Sequence, residues 1–362
     1  MGRENRKAVV LLLSGLLLLA SCVKDKPNPA NPMPGVDSAA QNVYVICEGN
    51  FGNGNSSLGL YRPFTDERFD DVFLSVNQQS LGDVFQSMTR IDDRFFLCIN
   101  NSDKILVINR SDWKLQGSIP VSKPRYIVKV SDTKAYVSAL YTNKLTIINP
   151  QTLAITGTVT LPGNNPEGML LLRDKLLVAL WDTSVSKVYS VNTATDQVSV
   201  FSSQVGAAPK ELLLDRDSSI WVLSGNIQKA KNAELRQVDG ASGSTLRSLP
   251  FPAGADPMRL VQSRDGKYLY FIEVDYSGTH PDFNGVFRMG VSDGALPAVP
   301  LVAASSLQYF WALGIDPETG NLYIGDPKGF TQRGQVYIYN TSGEQLRTFS
   351  CGVGPGHFYF DK

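Results

Sequence analysis

The feature that most limits how this chain can fold is an internal repeat. Residues 94–127 and 134–169 share one order: an apolar strand, a polar turn, a second strand ending in Ile-Asn, a turn, a third strand, and a Pro that opens a fourth apolar run. The prolines that begin these fourth runs, here called the Pro anchors, are Pro124, Pro166, Pro209, Pro257 and Pro355. They are separated by 42, 43, 48 and 98 residues, and the last interval is long enough for two units of 49 residues. A period of roughly 40–50 residues with four short strands is typical of a β-propeller blade.

The number of repeats predicts a closed ring. From about Gln41 to Lys362 some 321 residues remain, enough for seven blades averaging about 46 residues. The segment from Val43 supplies three strands and lacks a first one, while Pro355–Phe360 supplies a single strand. We therefore predict an all-β, seven-bladed β-propeller with one blade closed by the N- and C-terminal strands, which leaves no open edge in the ring. Six or eight blades would require a miscounted repeat.

The first 41 residues have a different character. Arg3, Arg6 and Lys7 precede a largely apolar run of 13 residues, which is too short to span a bilayer but fits a secretory signal core. The run ends in Leu-Ala-Ser-Cys at Cys22, which resembles a bacterial lipobox. We predict a lipoprotein signal peptide over 1–21, an acylated Cys22 with a flexible tether over 22–41, and the propeller over 42–362. An ordinary signal peptide with an incidental cysteine is the alternative.

Composition excludes several classes of function. The 34 Lys plus Arg balance 34 Asp plus Glu, whereas a nucleic-acid binder needs excess cations. Two histidines disfavour a His-rich metal centre, and we expect no cofactor and no metal. The loop with Asp275, His280 and Asp282 lacks the spacing of a calcium loop, so a solvated turn is the simpler interpretation.

Three cysteines follow Cys22 in the sequence. Cys98 lies in an apolar run and is predicted to be a buried free thiol. Cys47 and Cys351 lie near opposite ends of the chain and would meet if those ends meet, but sequence does not fix that pairing.

The repeats that include Tyr136-Val-Ser-Ala and Lys144-Leu-Thr-Ile-Ile-Asn resemble those of the YncE-like, or YVTN-repeat, seven-bladed propellers over roughly residues 42–362. With the lipobox and the polar tether, the chain is similar to the BtuG-type surface lipoproteins of Bacteroidetes. That resemblance implies binding of cobalamin or another corrinoid, transfer to a TonB-dependent outer-membrane receptor, and an outer-membrane location exposed at the cell surface. The charged pair Lys24-Asp25, which follows the predicted lipidation site, is too short a signal to decide which membrane leaflet the lipoprotein occupies. The resemblance assigns no binding residue.

Propeller geometry itself predicts where a ligand would bind. The loops before the inner strands and those between second and third strands converge on one face. The ligand-binding candidates on this face are Phe51, Phe85, Arg125, Tyr126, Tyr141, Glu167, Trp181, Lys210, Arg259, Tyr276, Trp311, Phe330 and His357. Flat aromatic rings beside polar groups suit a large planar ligand with polar edges, or a glycan. Each aromatic residue could instead pack between blades, and His357 could be structural or could coordinate a corrinoid cobalt.

Three functions are compatible with these features. The first is a non-enzymatic lipoprotein that captures a nutrient such as cobalamin. The second is an envelope interaction or adhesion module that binds glycan or protein. The third is a metal-dependent propeller lactonase or lyase, which would need acidic or His ligands at the channel. We expect no enzymatic activity.

Overall fold

The computed structural model describes residues 41–275 and 284–361. These residues form seven four-stranded antiparallel sheets arranged in a ring, so the predicted β-propeller is confirmed. Blade 1 has the order β28-β1-β2-β3, and each later blade uses four consecutive strands. The strands of blades 1 and 2 are β1 Asn42–Cys47, β2 Ser57–Arg62, β3 Glu67–Phe69, β28 Pro355–Asp361, β4 Phe85–Ile91, β5 Arg94–Ile99, β6 Lys104–Asn109 and β7 Leu115–Ile119.

Blades 3 to 5 contain the most regular repeats of the sequence. Their strands are β8 Pro124–Ser131, β9 Lys134–Ala139, β10 Lys144–Asn149, β11 Ala154–Thr160, β12 Pro166–Leu172, β13 Lys175–Leu180, β14 Val188–Asn192, β15 Val198–Ser202, β16 Pro209–Leu214, β17 Ser219–Asn226, β18 Lys231–Asp239 and β19 Thr245–Pro250. Pro opens each of the three first strands, where a missing N–H costs no ladder hydrogen bond.

Blades 6 and 7 complete the ring. Their strands are β20 Ala255–Gln262, β21 Tyr268–Asp275, β22 Gly285–Gly290, β23 Val302–Ala303, β24 Ala312–Ile315, β25 Leu322–Asp326, β26 Arg333–Tyr339 and β27 Gln345–Val353. The described helices are short: α1 at Val72–Asn77 and 3-10 turns at Asn100–Ser102, Ile227–Lys229 and Lys328–Phe330. Within these same ranges, no helix is long and apolar enough to cross a membrane.

The terminal strands close blade 1 as predicted. The inner strand β28 pairs antiparallel with β1, with Val43 opposite Phe360 and Tyr44 opposite Tyr359. At the C-terminal end of β28, the Asp361 carboxylate accepts hydrogen bonds from Arg110 at 2.7 Å and Arg90 at 3.3 Å, both on blade 2. The C-terminal strand is therefore held both by its own sheet and by the next blade.

The core consists of apolar layers between neighbouring blades. Between blades 1 and 2, for example, Tyr44, Phe85 and Phe95 pack with Trp113, whose indole Nε1 donates to the Tyr44 hydroxyl at 3.0 Å. The inner strands approach closely near the axis. A Cβ on Gly168 of β12 would lie 2.6 Å from the Lys210 carbonyl oxygen of β16, so this close approach requires glycine.

Candidate functional site

A local irregularity directs side chains toward the axis of the ring. The pairing of the inner strand shifts register near its loop-face end in blades 1 to 6. Such bulges insert an extra residue and re-aim side chains. The bulged positions include Gln86, Arg125, Glu167, Lys210 and Arg259. Polar side chains from five blades are thereby collected at one end of the central channel.

Four of these residues, Arg125, Glu167, Lys210 and Arg259, line a cavity of about 190 Å³ that we call the mouth. Its lining consists of Arg125, Tyr126, Glu167, Trp181, Lys210, Glu211, Asn226, Ile227, Gln228, Asp256, Met258, Arg259 and Trp311. Below it lies a second cavity of about 360 Å³, the channel chamber, with Ser87, Met88, Met169 and His357 in its wall. Tyr126, Lys210, Glu211 and Arg259 line both cavities and so form the floor of the mouth.

The first charged pair of the mouth links blades 3 and 4. Arg125 donates through Nε to Glu167 Oε2 at 2.9 Å, and its Nη2 makes a second, short contact with Glu167 Oε1. Gln86 of blade 2 accepts from the same guanidinium. Burial acts to lower the pKa of Arg125, but Glu167, Tyr126 and Glu48 together outweigh burial, and the net pKa is raised. The pair is therefore charged and fixed in a bidentate geometry.

A second pair links blades 5 and 6. Lys210 Nζ lies 3.0 Å from Asp256 Oδ1, and both side chains are largely buried. Arg125 and Lys210 thus each have a carboxylate partner on the neighbouring blade. The wall of the mouth is polar at these positions but is locally neutral.

Arg259 is held by a strained backbone. Its φ of 59° is in the left-handed region, which non-glycine residues seldom adopt. The Glu211 carboxylate of blade 5 accepts from the backbone N–H of Arg259 at 2.9 Å and of Leu260 at 2.6 Å, which stabilises this conformation. Strain of this kind is concentrated at functional sites. The Arg259 side chain is consequently turned across the channel.

The Arg259 guanidinium contacts mainly neutral groups. The Arg259 Nε donates to the Trp311 carbonyl oxygen at 3.0 Å, and the guanidinium carbon Cζ lies 5.5 Å from the centre of the Trp311 ring. Its Nη1 lies 2.8 Å from His357 Nε2, while Glu48 Oε1 is 3.7 Å from Nη2. The same Glu48 oxygen accepts from Trp311 Nε1 at 2.8 Å. Arg259 is thus less fully neutralised than Arg125.

His357 is neutral in this environment. Burial, together with the charges of Arg259 and Arg125, lowers the pKa of the imidazole well below its ordinary value. Because a guanidinium can only donate, His357 Nε2 is the acceptor and the ring proton sits on Nδ1. The Nε2 lone pair is therefore engaged by Arg259, which argues against the cobalt-ligand interpretation of this histidine and favours the structural one.

The structure brings most of the predicted residues together. The candidates that line the mouth are Arg125, Tyr126, Glu167, Trp181, Lys210, Arg259 and Trp311. His357 lies just below them in the channel chamber. Phe330 packs edge-on against Trp311, with ring centres 5.6 Å apart, and so supports that indole.

Other candidates lie elsewhere. Phe85 is 0% exposed in the layer between blades 1 and 2, so its assignment to the binding surface was wrong: the bulge after it turns Gln86, not Phe85, inward. Phe51 and Tyr141 are 74% and 81% exposed on loops of the same face, outside both cavities. Tyr276, and the loop residues His280 and Asp282, lie outside the described residues, as do Cys22, the predicted signal peptide and the predicted tether up to residue 40.

Several residues of the site were not among the sequence-based candidates. Gln86 accepts a hydrogen bond from Arg125, and Asp256 accepts one from Lys210. Glu48 accepts one from Trp311. The repeat identifies only residues that were already candidates, because the residue after the anchoring Pro is Arg125, Glu167 and Lys210 in three successive blades. Opposite charges at equivalent positions of adjacent blades indicate ion pairs.

The described part of the chain contains no group of three or more His, Cys, Asp or Glu side chains placed to hold a metal ion. At the mouth, the carboxylates of Glu167 and Asp256 are instead engaged by cations, and that of Glu211 by backbone N–H groups. The arrangement offers aromatic faces and paired polar groups to a ligand that enters from the loop face.

Comparison with solved structures supports the fold. A quinonprotein alcohol dehydrogenase-like protein from Bacteroides thetaiotaomicron superposes with a TM-score of 0.67 at 14% identity, over 89% of this chain and 78% of that one. A protein from Bacteroides uniformis provisionally assigned as a 6-phosphogluconolactonase gives 0.63 at 13% identity, over 89% and 99%. Virginiamycin B lyase from Staphylococcus aureus gives 0.55 at 13% identity, over 75% and 89%. Propellers of varied function thus share this fold.

No curated protein matches the chain in sequence. None of the three neighbours named above is a YncE-like or BtuG-type protein by name, so that finer resemblance stays a prediction. A family model does match residues 41–361, which is nearly the whole described chain. The protein is a member of the family described as Domain of unknown function (DUF5074).

Proposed function

We propose that this protein captures a small nutrient ligand on the loop face of the propeller, without chemistry of its own, and transfers it to a TonB-dependent outer-membrane transporter. The ligand proposed is cobalamin or another corrinoid. The observation that supports this most directly is the mouth, where Tyr126, Trp181 and Trp311 join two interblade ion pairs in one cavity at the end of the channel. Aromatic faces bind flat rings, and fixed polar groups orient their edges.

The charge of the mouth favours a ligand with uncharged polar edges. Arg125 and Lys210 each have a carboxylate partner within hydrogen-bond distance, so an anionic ligand would have to compete with Glu167 or Asp256. Carbonyl, amide and hydroxyl groups can instead accept or donate without breaking these pairs. The proposal therefore predicts an affinity that changes little between low and moderate salt, unlike binding driven by unpaired charges.

The size of the mouth suits insertion of one edge rather than enclosure. Its 190 Å³ is below the usual range of about 300–1,000 Å³ for pockets that bury a whole drug-sized ligand. In this proposal a corrinoid lies across the loop face with one polar edge in the mouth. The exposed rings of Phe51 and Tyr141 belong to the same face and provide further apolar surface.

The proposal of a non-enzymatic role rests on how the titratable groups are used. A general base needs an available lone pair, yet His357 Nε2 accepts from Arg259. The carboxylate of Glu211 is likewise committed to two backbone N–H groups. These contacts fit a rigid binding surface better than a proton-transfer site.

The direct test is calorimetric titration of cyanocobalamin into the propeller, residues 42–362, with a parallel run in EDTA. We expect one-to-one binding that is equal in both runs. No heat at micromolar protein would reject the corrinoid. Binding or turnover that is lost in EDTA would instead favour the metal-dependent lactonase or lyase. Transfer is tested separately, by adding candidate TonB-dependent receptors to the loaded protein and following ligand movement.

The proposed location is the outer membrane, at the cell surface, anchored through Cys22. The lipobox predicts that Cys22→Ala leaves the precursor without its lipid. We expect that variant to leave the membrane fraction, with the unaltered chain as control. Normal membrane fractionation of Cys22→Ala would contradict the anchor, and protease shaving of intact cells distinguishes surface from periplasmic exposure.

A second candidate function is an interaction module for glycan or protein. It is favoured by three exposed apolar side chains on loop-face loops: Phe51, Tyr141 and Leu307, the last of them 86% exposed. Tyr141 also has a left-handed φ of 60°, and its N–H is held by Asn165 Oδ1 at 2.8 Å. If cyanocobalamin gives no heat, glycan arrays probed with this propeller and with a Tyr141→Ala variant test this alternative.

A further inference from the structure

Two cysteines from opposite ends of the chain meet where blade 1 joins blade 7. Cys47 is the last residue of β1, and Cys351 lies near the end of β27. Both are buried thiols in this structure, and both belong to one apolar cluster formed by residues of blades 1 and 7. The pairing that the sequence left open is therefore sterically accessible.

The backbone on either side holds the two strands together. Glu48 N–H donates to the Gly354 carbonyl at 2.7 Å, and Gly49 N–H donates to the Val353 carbonyl at 2.9 Å. A Cβ on Gly352 would lie 3.0 Å from Cys47 Sγ and 2.1 Å from Ser57 Oγ, so only glycine permits this approach of β27. A disulfide needs such proximity, with Cα atoms about 4.4–6.8 Å apart.

We propose that Cys47 and Cys351 form a disulfide in the exported protein and that this bond closes the propeller covalently. The sequence predicts export into an oxidising compartment, where disulfides form and persist. The bond would join the N-terminal strand of blade 1 to the outer strand of blade 7, whose chain continues directly into β28. This inference goes beyond ligand capture and does not depend on the identity of the ligand.

The chemistry is thiol–disulfide exchange with a disulfide-containing oxidant, such as an oxidised dithiol protein of the compartment. One cysteine thiolate attacks a sulfur of the oxidant, which forms a mixed disulfide and releases the oxidant's second sulfur as a thiolate. The other cysteine thiolate then attacks the mixed disulfide, which forms the Cys47–Cys351 bond. The oxidant leaves as a dithiol, having accepted two electrons and the two thiol protons.

The burial of both thiols sets the time at which this exchange occurs. The contact with Cys47 and then burial raise the pKa of the Cys351 thiol, so in the folded ring it is a poor nucleophile. Exchange is therefore expected during folding, before β27 docks against β1. Once formed, the bond is shielded from reductants by the same burial.

The bond would also stabilise one wall of the mouth. Cys47 directly precedes Glu48, whose carboxylate accepts from Trp311 Nε1 at 2.8 Å and lies 3.7 Å from Arg259. Fixing Cys47 thus restricts the chain that presents Glu48. Loss of the bond is expected to loosen this wall first, at the junction of the first and last blades.

The test is a thiol map of the full chain after export through its own leader. The protein is denatured without reductant and alkylated with one mass tag, then reduced and alkylated with a second. We expect Cys98 to receive the first tag, and Cys47 and Cys351 to receive the second, with a linked peptide two hydrogens lighter before reduction. First-tag labelling of Cys47 and Cys351 in protein whose leader has been removed would overturn the proposal. This result is independent of any ligand titration.

Stability provides a second measurement. Reductant, with reduction verified by the same tags, is expected to lower the melting midpoint of the unaltered protein by several degrees. It should leave the Cys47→Ala/Cys351→Ala variant unaffected. The matched control is Cys98→Ala, which removes an equally buried thiol but should keep the response to reductant. If complete reduction leaves the melting midpoint of the unaltered protein unchanged, the claim that the bond closes the ring is overturned.

Discussion

Arg259 on β20 of blade 6 contacts His357 on β28 of blade 1, with 2.8 Å between Nη1 and Nε2. Blade 7 lies between these two blades in the ring, so the contact crosses the channel instead of joining adjacent strands. His357 comes from the C-terminal strand, which completes blade 1 only when the chain ends pair. The floor of the mouth is therefore assembled by closure of the ring.

Arg259 is expected to be the residue whose loss most reduces ligand binding. Arg259→Ala removes the cation that stacks on Trp311 and lines both cavities, and we expect at least a tenfold weaker Kd for cyanocobalamin, or about 1.4 kcal/mol. The matched control is Arg264→Ala, an exposed arginine at the opposite end of the same blade, which should bind normally. Equal affinities for both variants, measured by calorimetry, would remove Arg259 from the site.

The Arg125–Glu167 pair is expected to contribute to stability through its burial. Glu167→Gln leaves the buried Arg125 guanidinium without its charge partner, so we expect a loss of about 3 kcal/mol in the free energy of unfolding. Denaturant titration at pH 7 measures it.

An exposed pair serves as the control for this prediction. Asp66→Asn, which weakens the exposed contacts with Arg68 and Arg347, should change stability by about 0.5 kcal/mol or less. The double variant Arg125→Gln/Glu167→Gln should lose less than the sum of its single variants, because neither charge is then left alone. Strict additivity would contradict a coupled pair.

The lowered pKa of His357 predicts the direction in which the free energy of unfolding changes with pH. Its pKa in the folded protein is well below the ordinary value of 6.5, so below about pH 6.5 the unfolded chain binds a proton that the folded protein does not. The free energy of unfolding should therefore fall as pH decreases from 7 to 5, by up to about 1.4 kcal/mol per pH unit from this group.

The test compares the unaltered protein with His357→Gln, whose amide oxygen can still accept from Arg259. Chemical unfolding at a series of pH values should show a shallower pH dependence in the variant between pH 7 and 5. Identical slopes would mean that His357 titrates alike in both states. The comparison is between variants, so other titrating groups cancel.

The closing strand is expected to control cooperativity. Deletion of residues 355–362 removes the inner strand of blade 1, exposes the edge of β1 and releases the Asp361 contacts to Arg90 and Arg110. We expect loss of cooperative unfolding or of solubility. The milder variant Asp361→Ala should melt cooperatively but at a lower temperature. A deletion variant with an unchanged melting curve would show that the ring does not depend on this strand.

Much of the site could be located from the sequence, because the repeat fixes which loops share a face. Pro124, Pro166 and Pro209 each begin an inner strand, and the residues after them lie at the mouth. Phe85 shows the limit of such inference. It aligns with the anchoring Pro residues, one position before the bulge, so its ring lies between blades; a one-residue shift in a strand reverses the face on which a side chain lies.

By itself, the sequence determined the all-β ring, the number of blades and the closure by the two chain ends, because strand period, turn residues and repeat length are local properties that recur along the chain. Only the tertiary structure decided which side chains meet: Arg259 with His357, Arg125 with Glu167, and Cys47 with Cys351. These contacts join strands of different blades, and they depend on bulges and on close backbone approaches that the sequence repeat alone does not specify. Local periodicity builds the scaffold, whereas long-range packing assembles the site.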